Sequence, residues 1–260
     1  MNRKLGIYYW FGFDIDFKER FQIIKEAGFQ ATSLWGGVDN EINEKKWNML
    51  PDLARKTDLE IENIHIPFEN ANFIWESGDN FQIYFGEIKK AIDYCHNHQI
   101  STGVLHLTRG FDIPKIENIH LERIKNIVYY AEEKNVNVAL ENLKQYKILD
   151  FVFQNIQSER LGFCYDSGHE RCWAIHEDFL GKYYSKLTAV HLHDNTGAGD
   201  KHDLPFDGRC NWKNIMNKLK DYKGSLMLEV TAQKSRRYKK MCVKDFLKRA
   251  FIAGNRLNLL

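Results

Sequence analysis

The sequence predicts an α/β chain folded as one (β/α)8 TIM barrel over residues 1–260, and three observations predict it. Short apolar, β-branched runs read as buried parallel strands. They alternate with longer charged segments whose apolar residues recur at three and four spacing, as on amphipathic helices. The alternation repeats eight times in 260 residues, the count and size of such a barrel. A doubly wound open sheet would normally carry a Gly-rich loop after its first strand, and Tyr8-Tyr9-Trp10-Phe11-Gly12 is not one.

The first strand lies near Leu5–Tyr9. Its helix covers about Asp16–Ala27, with Phe17, Phe21, Ile24 and Ala27 on the inner face, and Gly28 stops it. The second strand, Ala31–Leu34, precedes a helix over about Glu44–Lys56. The third, Ile61–Ile66, is followed by a long loop and a helix over about Phe81–Asn97. Gly103–Leu107 pairs with a helix at Asn118–Lys134, and Val136–Leu140 with a shorter one at Ile148–Asn155. Leu161–Tyr165 leads to a helix near Glu177–Tyr184. Leu187–His191 opens into a polar loop before a helix at Trp212–Leu219. Ser225–Val230 precedes the last helix, about Val243–Ala253.

With 37 basic and 35 acidic residues, a formal net charge of +2 gives no global attraction to nucleic acid or membrane. No stretch approaches the ~18 apolar residues needed to span a bilayer. The N-terminus does not read as a signal peptide. The five Cys are scattered, with no C-x-x-C, and look like reduced thiols of a cytoplasmic protein.

Chemistry concentrates where the strands end, which in this architecture is the active-site face. Strand three ends in His65, strand four in His106 and strand five in Glu141. Strand six ends in Asp166 with His169 close behind, strand seven in His191 and strand eight in Glu229. After His191 come His193, Asp200 and His202 in a Gly-containing loop. Each has an ordinary explanation when taken alone. A strand His is commonly a hydrogen-bonded core residue, Asp166-Ser167-Gly168 suits a turn or helix cap, and a buried Glu suits an ion pair. Converging on one axis, however, four carboxylates and five imidazoles cannot sit together without cations, because buried charge is costly unless paired or metal-bound. His96, His98, His120 and His176 lie away from strand ends and read as surface residues. Trp47, Trp212 and Phe246 read as helix packing. The basic tract Lys234–Lys240 reads as a solvated loop, on the active-site side where it is placed to meet an anionic substrate.

The stretches Leu140-Glu141-Asn142, Gly162 to His169, His191–Asp194 with Asp200-Lys201-His202, and Leu228-Glu229 resemble the xylose isomerase-like barrel superfamily. That group holds sugar and sugar-phosphate isomerases and epimerases, inosose-processing enzymes and apurinic/apyrimidinic endonucleases of the endonuclease IV type (AP endonuclease family 2). The resemblance covers nearly the whole chain. The ketose epimerase pattern implies one divalent metal on Glu141, Asp166, His191 and Glu229, with Glu141 and Glu229 also the catalytic acid–base pair. The endonuclease pattern implies three zinc ions on nine ligands, matched by His65, His106, Glu141, Asp166, His169, His191, Asp200, His202 and Glu229. The chain departs from the endonuclease wording. It has Asp166-Ser167-Gly168-His169 for Asp-Thr-Cys-His, and His191-Leu192-His193-Asp194 for His-Leu-Asn-Asp. Glu141-Asn142 continues Leu143-Lys144-Gln145-Tyr146 rather than with glycines.

The resemblance thus implies a metal-dependent isomerase or epimerase of a small-molecule sugar or sugar phosphate. Zinc is the first choice of cofactor, with manganese and magnesium as alternatives. Substrate contacts are expected from Trp10, Trp35 and Phe68 as an apolar wall, from Arg109 and Lys201 toward a phosphate, and from His193. The alternatives are a multi-zinc phosphoesterase of the abasic-site endonuclease type, the one reading with a nucleic-acid partner, and a non-enzymatic ligand-binding barrel. The last does not explain an intact acid–base pair. Substrate and oligomeric state are not set by the sequence.

Overall fold

The computed structural model describes residues 3–38, 42–110, 113 and 115–260. Eight strands form one parallel sheet: β1 (Leu5–Tyr8), β2 (Ala31–Trp35), β3 (Glu60–His65), β4 (Thr102–Leu105), β5 (Asn137–Glu141), β6 (Leu161–Asp166), β7 (Leu187–His191) and β8 (Leu226–Leu228). Each pairs in parallel with its sequence neighbours, and β8 pairs with β1. The seam between β7 and β8 closes through the parallel bridge Leu192↔Leu228, with the Leu192 N–H on the Met227 carbonyl at 2.8 Å. The result is the expected (β/α)8 barrel.

The connecting helices are α1 (Phe17–Glu26), α2 (Glu44–Lys56), α3 (Asn80–Asn97), α4 (Asn118–Glu133), α5 (Lys147–Asn155), α6 (Ser167–Trp173), α7 (Phe179–Tyr183), α8 (Trp212–Lys218) and α9 (Val243–Asn258). Asp16 and Asn43 cap α1 and α2 by accepting the N–H groups of Lys18 and Lys46. Gly28 ends α1 at φ +105°, a left-handed conformation that favours glycine. Trp47, Trp212 and Phe246 are buried in the helix–sheet layer. No helix among the described residues is long and apolar enough to cross a membrane.

Three differences from the sequence expectations have physical causes. First, α6 begins directly after Asp166; at seven residues it is too short to show a helical period. Second, α9 runs to Asn258, past the expected Ala253, because Leu257 continues its buried face. Third, His120 is not a surface residue but only 5% exposed. It sits in the first turn of α4, where its Nδ1 accepts the Glu117 N–H at 3.0 Å and its ring packs on Trp75. His96 and His176 are exposed as expected, whereas His98 is half-buried against Tyr94.

The barrel interior explains what stands at its mouth. Val104, Ala139, Cys164 and Ala189 form a small buried cluster of their own. In a strand, residues i and i+2 share a face. Two residues on from this quartet stand His106, Glu141, Asp166 and His191. Small side chains fill the narrow interior, and the next inward layer is polar. Asp166 and His191 are paired at one level, while Glu141 pairs with Cys164 and so stands a step lower along the barrel wall.

Candidate metal centre and pocket

All nine candidate ligands converge on this layer. Three groups stand out, and within each the ligand atoms lie within 4.8 Å of one another: His65, His106 and Glu141; Glu141, Asp166, His191 and Glu229; and His193, Asp200 and His202. His169 joins Asp166 and His193 in a further such group. Glu141 is shared between the first two. Its Oε2 lies 2.7 Å from His106 Nε2 and 3.5 Å from His65 Nε2, while Oε1 lies 3.2 Å from His191 Nδ1. The same His191 Nδ1 is 3.2 Å from Glu229 Oε2.

The ring orientations suit metal ligation. His65 Nδ1 faces the Ile66 carbonyl at 2.9 Å, His202 Nδ1 the Glu229 carbonyl at 2.7 Å, and His169 Nδ1 the Asn142 carbonyl at 3.2 Å. An Nδ1–H donated to a carbonyl leaves the Nε2 lone pair free for a cation. Aromatic rings back three imidazoles: Trp35 on His65 at 5.7 Å, Phe68 on His106 at 4.5 Å and Trp173 on His169 at 4.5 Å.

The charge balance tests whether a cation belongs here. Burial opposes charge on Glu141, yet His106 and His191 outweigh it and hold the carboxyl well below the usual range. Burial likewise opposes charge on Glu229 and Asp200, and imidazoles again prevail, with His191 lowering Glu229 and His202 lowering Asp200. Asp166 goes the other way. Burial, then repulsion from Glu141, Glu229 and Asp200 against the pull of His169, raises it to about 8. Asp166 thus retains its proton near neutral pH chiefly because it is buried, and a divalent cation bound there would displace that proton. Asp200 Oδ1 and His193 Nδ1 are buried without a hydrogen-bond partner. Donor set and ring orientation fit a divalent metal.

The outer group is held differently from the inner one. It rides on the loop after β7, anchored by Asp194. Asp194 Oδ1 accepts the N–H groups of Asn195 and Cys210 at 2.8 and 2.9 Å, and Oδ2 accepts those of Phe206 and Trp212 Nε1 at 3.0 and 2.8 Å. Backbone bonds of 2.8 Å run both ways between Asp194 and Asp203. His202 has φ +50°, a strained conformation for a non-glycine residue that this anchoring sustains.

The ligands floor a cavity of about 350 Å³, walled by Phe68, Leu143 and Trp173 and rimmed by Arg109, Lys144 and Lys234. An adjoining cavity of about 270 Å³ is lined by Trp10, Trp35 and Phe68 and shares His65, His202 and Glu229 with the first. Arg109, Trp10, Trp35 and Phe68 each line one or both of these cavities. Two other residues do not. Lys201 is outside the lining of either cavity and acts electrostatically on Asp203. His193 is fully buried behind the floor, with Nε2 3.1 Å from Asp166 Oδ2 and its ring stacked on His202 at 4.0 Å.

His193 links two of the departures noted above. A Cβ at Gly168 would lie 1.9 Å from His193 Cε1. Glycine in the Asp-Ser-Gly-His stretch and histidine in the His-Leu-His-Asp stretch are thus one structural change, since the imidazole occupies the room that a side chain at 168 would need. Lys144, Trp173 and Asn142 were not singled out by the sequence as site residues, whereas Lys234 belongs to the basic tract expected on the active-site side. The Asn142 side chain exchanges hydrogen bonds of 2.7 and 2.8 Å with the Asp166 backbone and so holds Asp166 against β5.

A parallel eight-stranded barrel with imidazoles and carboxylates gathered at its strand ends defines the class as (β/α)8 barrels with a candidate metal centre. Residues 21–246 match the model of the xylose isomerase-like TIM barrel family, and the chain belongs to that family. An uncharacterized protein, y4fM, of Sinorhizobium fredii is 41% identical over 221 residues; the match covers 78% of this chain and 65% of that relative, slightly under two thirds of its length. A D-psicose 3-epimerase from Clostridium cellulolyticum H10 shares the fold at a TM-score of 0.76 and 17% identity, covering 98% of each chain. A D-tagatose 3-epimerase-like protein does so at a TM-score of 0.72 and 22% identity, covering 97% of this chain and 98% of its own.

Proposed function

We propose that the protein is a metal-dependent isomerase or epimerase acting on a sugar by proton transfer next to a carbonyl. The observation that carries this is the pair Glu141 and Glu229, each 3.2 Å from His191 Nδ1 at the cavity floor. The likeness to D-psicose and D-tagatose 3-epimerase-like structures supports it as a fold-level analogy. A divalent cation held by Glu141, Asp166, His191 and Glu229 (zinc, manganese or magnesium) would supply Lewis acidity toward the sugar's carbonyl and hydroxyl oxygens.

The chain's own residues do the rest. Neighbouring imidazoles hold Glu141 and Glu229 in the ionised form a general base needs. One carboxylate takes the proton from the carbon beside the carbonyl. In an isomerisation the same carboxyl returns it to the neighbouring carbon. In an epimerisation the partner carboxylate relays a proton from solvent to the carbon from the opposite face. Phe68, Trp35 and Trp10 offer apolar surface to the sugar's C–H face and exclude water.

The test is deuterium exchange. Metal-loaded protein is incubated in D2O with a panel of ketoses and aldoses, and NMR follows label entering beside the carbonyl. Exchange that disappears in E141Q and E229Q is expected. No exchange with any sugar would overturn the reading. One observation favours a second reading, a multi-metal phosphoesterase: Asp200, His202 and His169 complete a nine-ligand set that a single-metal epimerase does not require. Nicking of abasic duplex DNA by the zinc-loaded protein, without sugar exchange, would decide for it.

A further inference from the structure

The main cavity sorts its charges by depth. The carboxylates lining it, Glu141, Asp200 and Glu229, all belong to the candidate ligand set on the floor. The cations lining it, Arg109, Lys144 and Lys234, stand on three different loops, after β4, β5 and β8. Each is steadied in place. The Asn72 side chain accepts the Arg109 amide N–H at 2.7 Å and donates to the Arg109 carbonyl at 2.8 Å. Lys144 Nζ lies 5.2 Å over the Trp173 ring, which is itself stacked on His169. Lys234 Nζ lies 3.2 Å from Asp200 Oδ2 with its side chain 47% exposed. Lys234 also lines a third cavity of about 340 Å³ together with Arg236 and Lys239, where no carboxylate is found among the described lining residues.

We propose that these three cations form an anion subsite, and that the substrate is a phosphorylated sugar whose phosphate monoester docks on Arg109, Lys144 and Lys234 while its carbonyl end meets Glu141 and Glu229. This rests on the isomerase reading and names its substrate class. Positive groups on separate loops around a concave, partly apolar site focus the field on an anion placed among them. A guanidinium and two ammonium groups present donors to several phosphate oxygens at once. Barrels of this kind commonly hold phosphate on the loops after strands seven and eight, and Lys234 stands on the loop after β8. The contact between Lys234 and Asp200 fits the same account, because a divalent cation taking up Asp200 releases the ammonium toward the anion.

The experiment compares metal-loaded wild type with the double variant R109A/K144A, in which neither altered residue is among the candidate metal ligands, and with the triple variant that adds K234A. Metal content and circular dichroism are recorded for each. Calorimetry uses inorganic phosphate, D-fructose, D-fructose 6-phosphate and D-gluconate. Inorganic phosphate, which requires no particular sugar, is expected to bind at least tenfold more weakly to the double variant at equal metal content, and more weakly still to the triple. D-fructose 6-phosphate is expected to outbind D-fructose at least tenfold in wild type and to lose that advantage in the variants. Phosphate affinity unchanged by the substitutions overturns the subsite. Tighter binding of D-gluconate than of D-fructose 6-phosphate overturns the phosphate assignment in favour of a carboxylate. Phosphate binding that follows the rim, with no deuterium exchange into any sugar or sugar phosphate, keeps the subsite and removes the isomerase reading. Exchange into neutral sugars with no phosphate preference does the reverse.

Discussion

The inner and outer halves of the candidate centre are built by different means. Glu141, Asp166 and His191 stand on strands, each two residues beyond a small side chain of the packed interior. Asp200 and His202 stand on a loop, fixed by the four hydrogen bonds that Asp194 accepts and by a strained His202 backbone. The inner set inherits the rigidity of the barrel. The outer set has a local scaffold that one substitution can loosen. The two halves should therefore separate under mutation, with the inner set indispensable to chemistry and the outer set governing a further cation or the pocket's electrostatics.

The largest effect should come from the inner set. E229A or E141A is expected to abolish inner metal binding and to lower turnover about 10³-fold or more, since ligand and proton shuttle disappear together. Elemental analysis and the exchange assay check this, and a variant keeping full activity would show that the site is wrongly assigned. D200A or H202A should act less, removing an outer cation while the inner one stays and lowering activity about 10–100-fold, the scale of a supporting-shell loss. Equal metal counts in wild type and D200A would show that the outer group holds no ion.

D194N tests the scaffold itself. Replacing a buried carboxylate that accepts four N–H groups should destabilise the fold by about 2 kcal/mol, the scale of losing charged hydrogen bonds. It should weaken outer-cation binding before inner binding, as read by denaturant unfolding and metal titration. A pH series sharpens the inner side. Asp166, raised to about 8 chiefly by burial, must lose its proton when a cation binds. Apparent metal affinity should therefore fall about tenfold per pH unit below about pH 8, on top of any histidine protonation. Calorimetry at pH 6, 7 and 8 reads this, and an affinity flat across that range would count against Asp166 as a ligand.

A last effect, on stability alone, belongs to Glu170, on α6 just beyond His169. Burial raises its carboxyl from 4.5 to about 7. Between those values the folded state keeps a proton that the unfolded chain has released, so stability falls as pH rises through that window and stays lower above it. E170Q removes this penalty. Its stability relative to wild type should be greater at pH 8 than at pH 5, as measured by urea unfolding at both.

The inner half was legible in the sequence because strands impose a period of two. A carboxylate or imidazole ending an apolar run is conspicuous, and His65, His106, Glu141, Asp166, His191 and Glu229 all end strands or follow them directly. The outer half was legible only as ligand-type residues in a loop. That His193 turns inward depends on Gly168, which lies 25 residues earlier and carries no sign of the contact. The short helix α6 and the burial of His120 were hidden for a similar reason, since each is fixed by a local cap or neighbour rather than by a repeating pattern. Lys144 looked like ordinary surface charge, and Lys234 was legible only as part of a basic tract on the active-site side. Only the closed barrel brings the loops after β5 and β8 to one cavity mouth.

The central claim is that the strand ends of this barrel hold a catalytic divalent metal. Elemental analysis of protein purified without chelator, wild type beside E229A, tests it most directly. The account predicts at least one zinc, manganese or other divalent ion per wild-type chain and its loss in E229A. A wild-type protein that carries none, and takes up none of these ions on titration at pH 8, would contradict it.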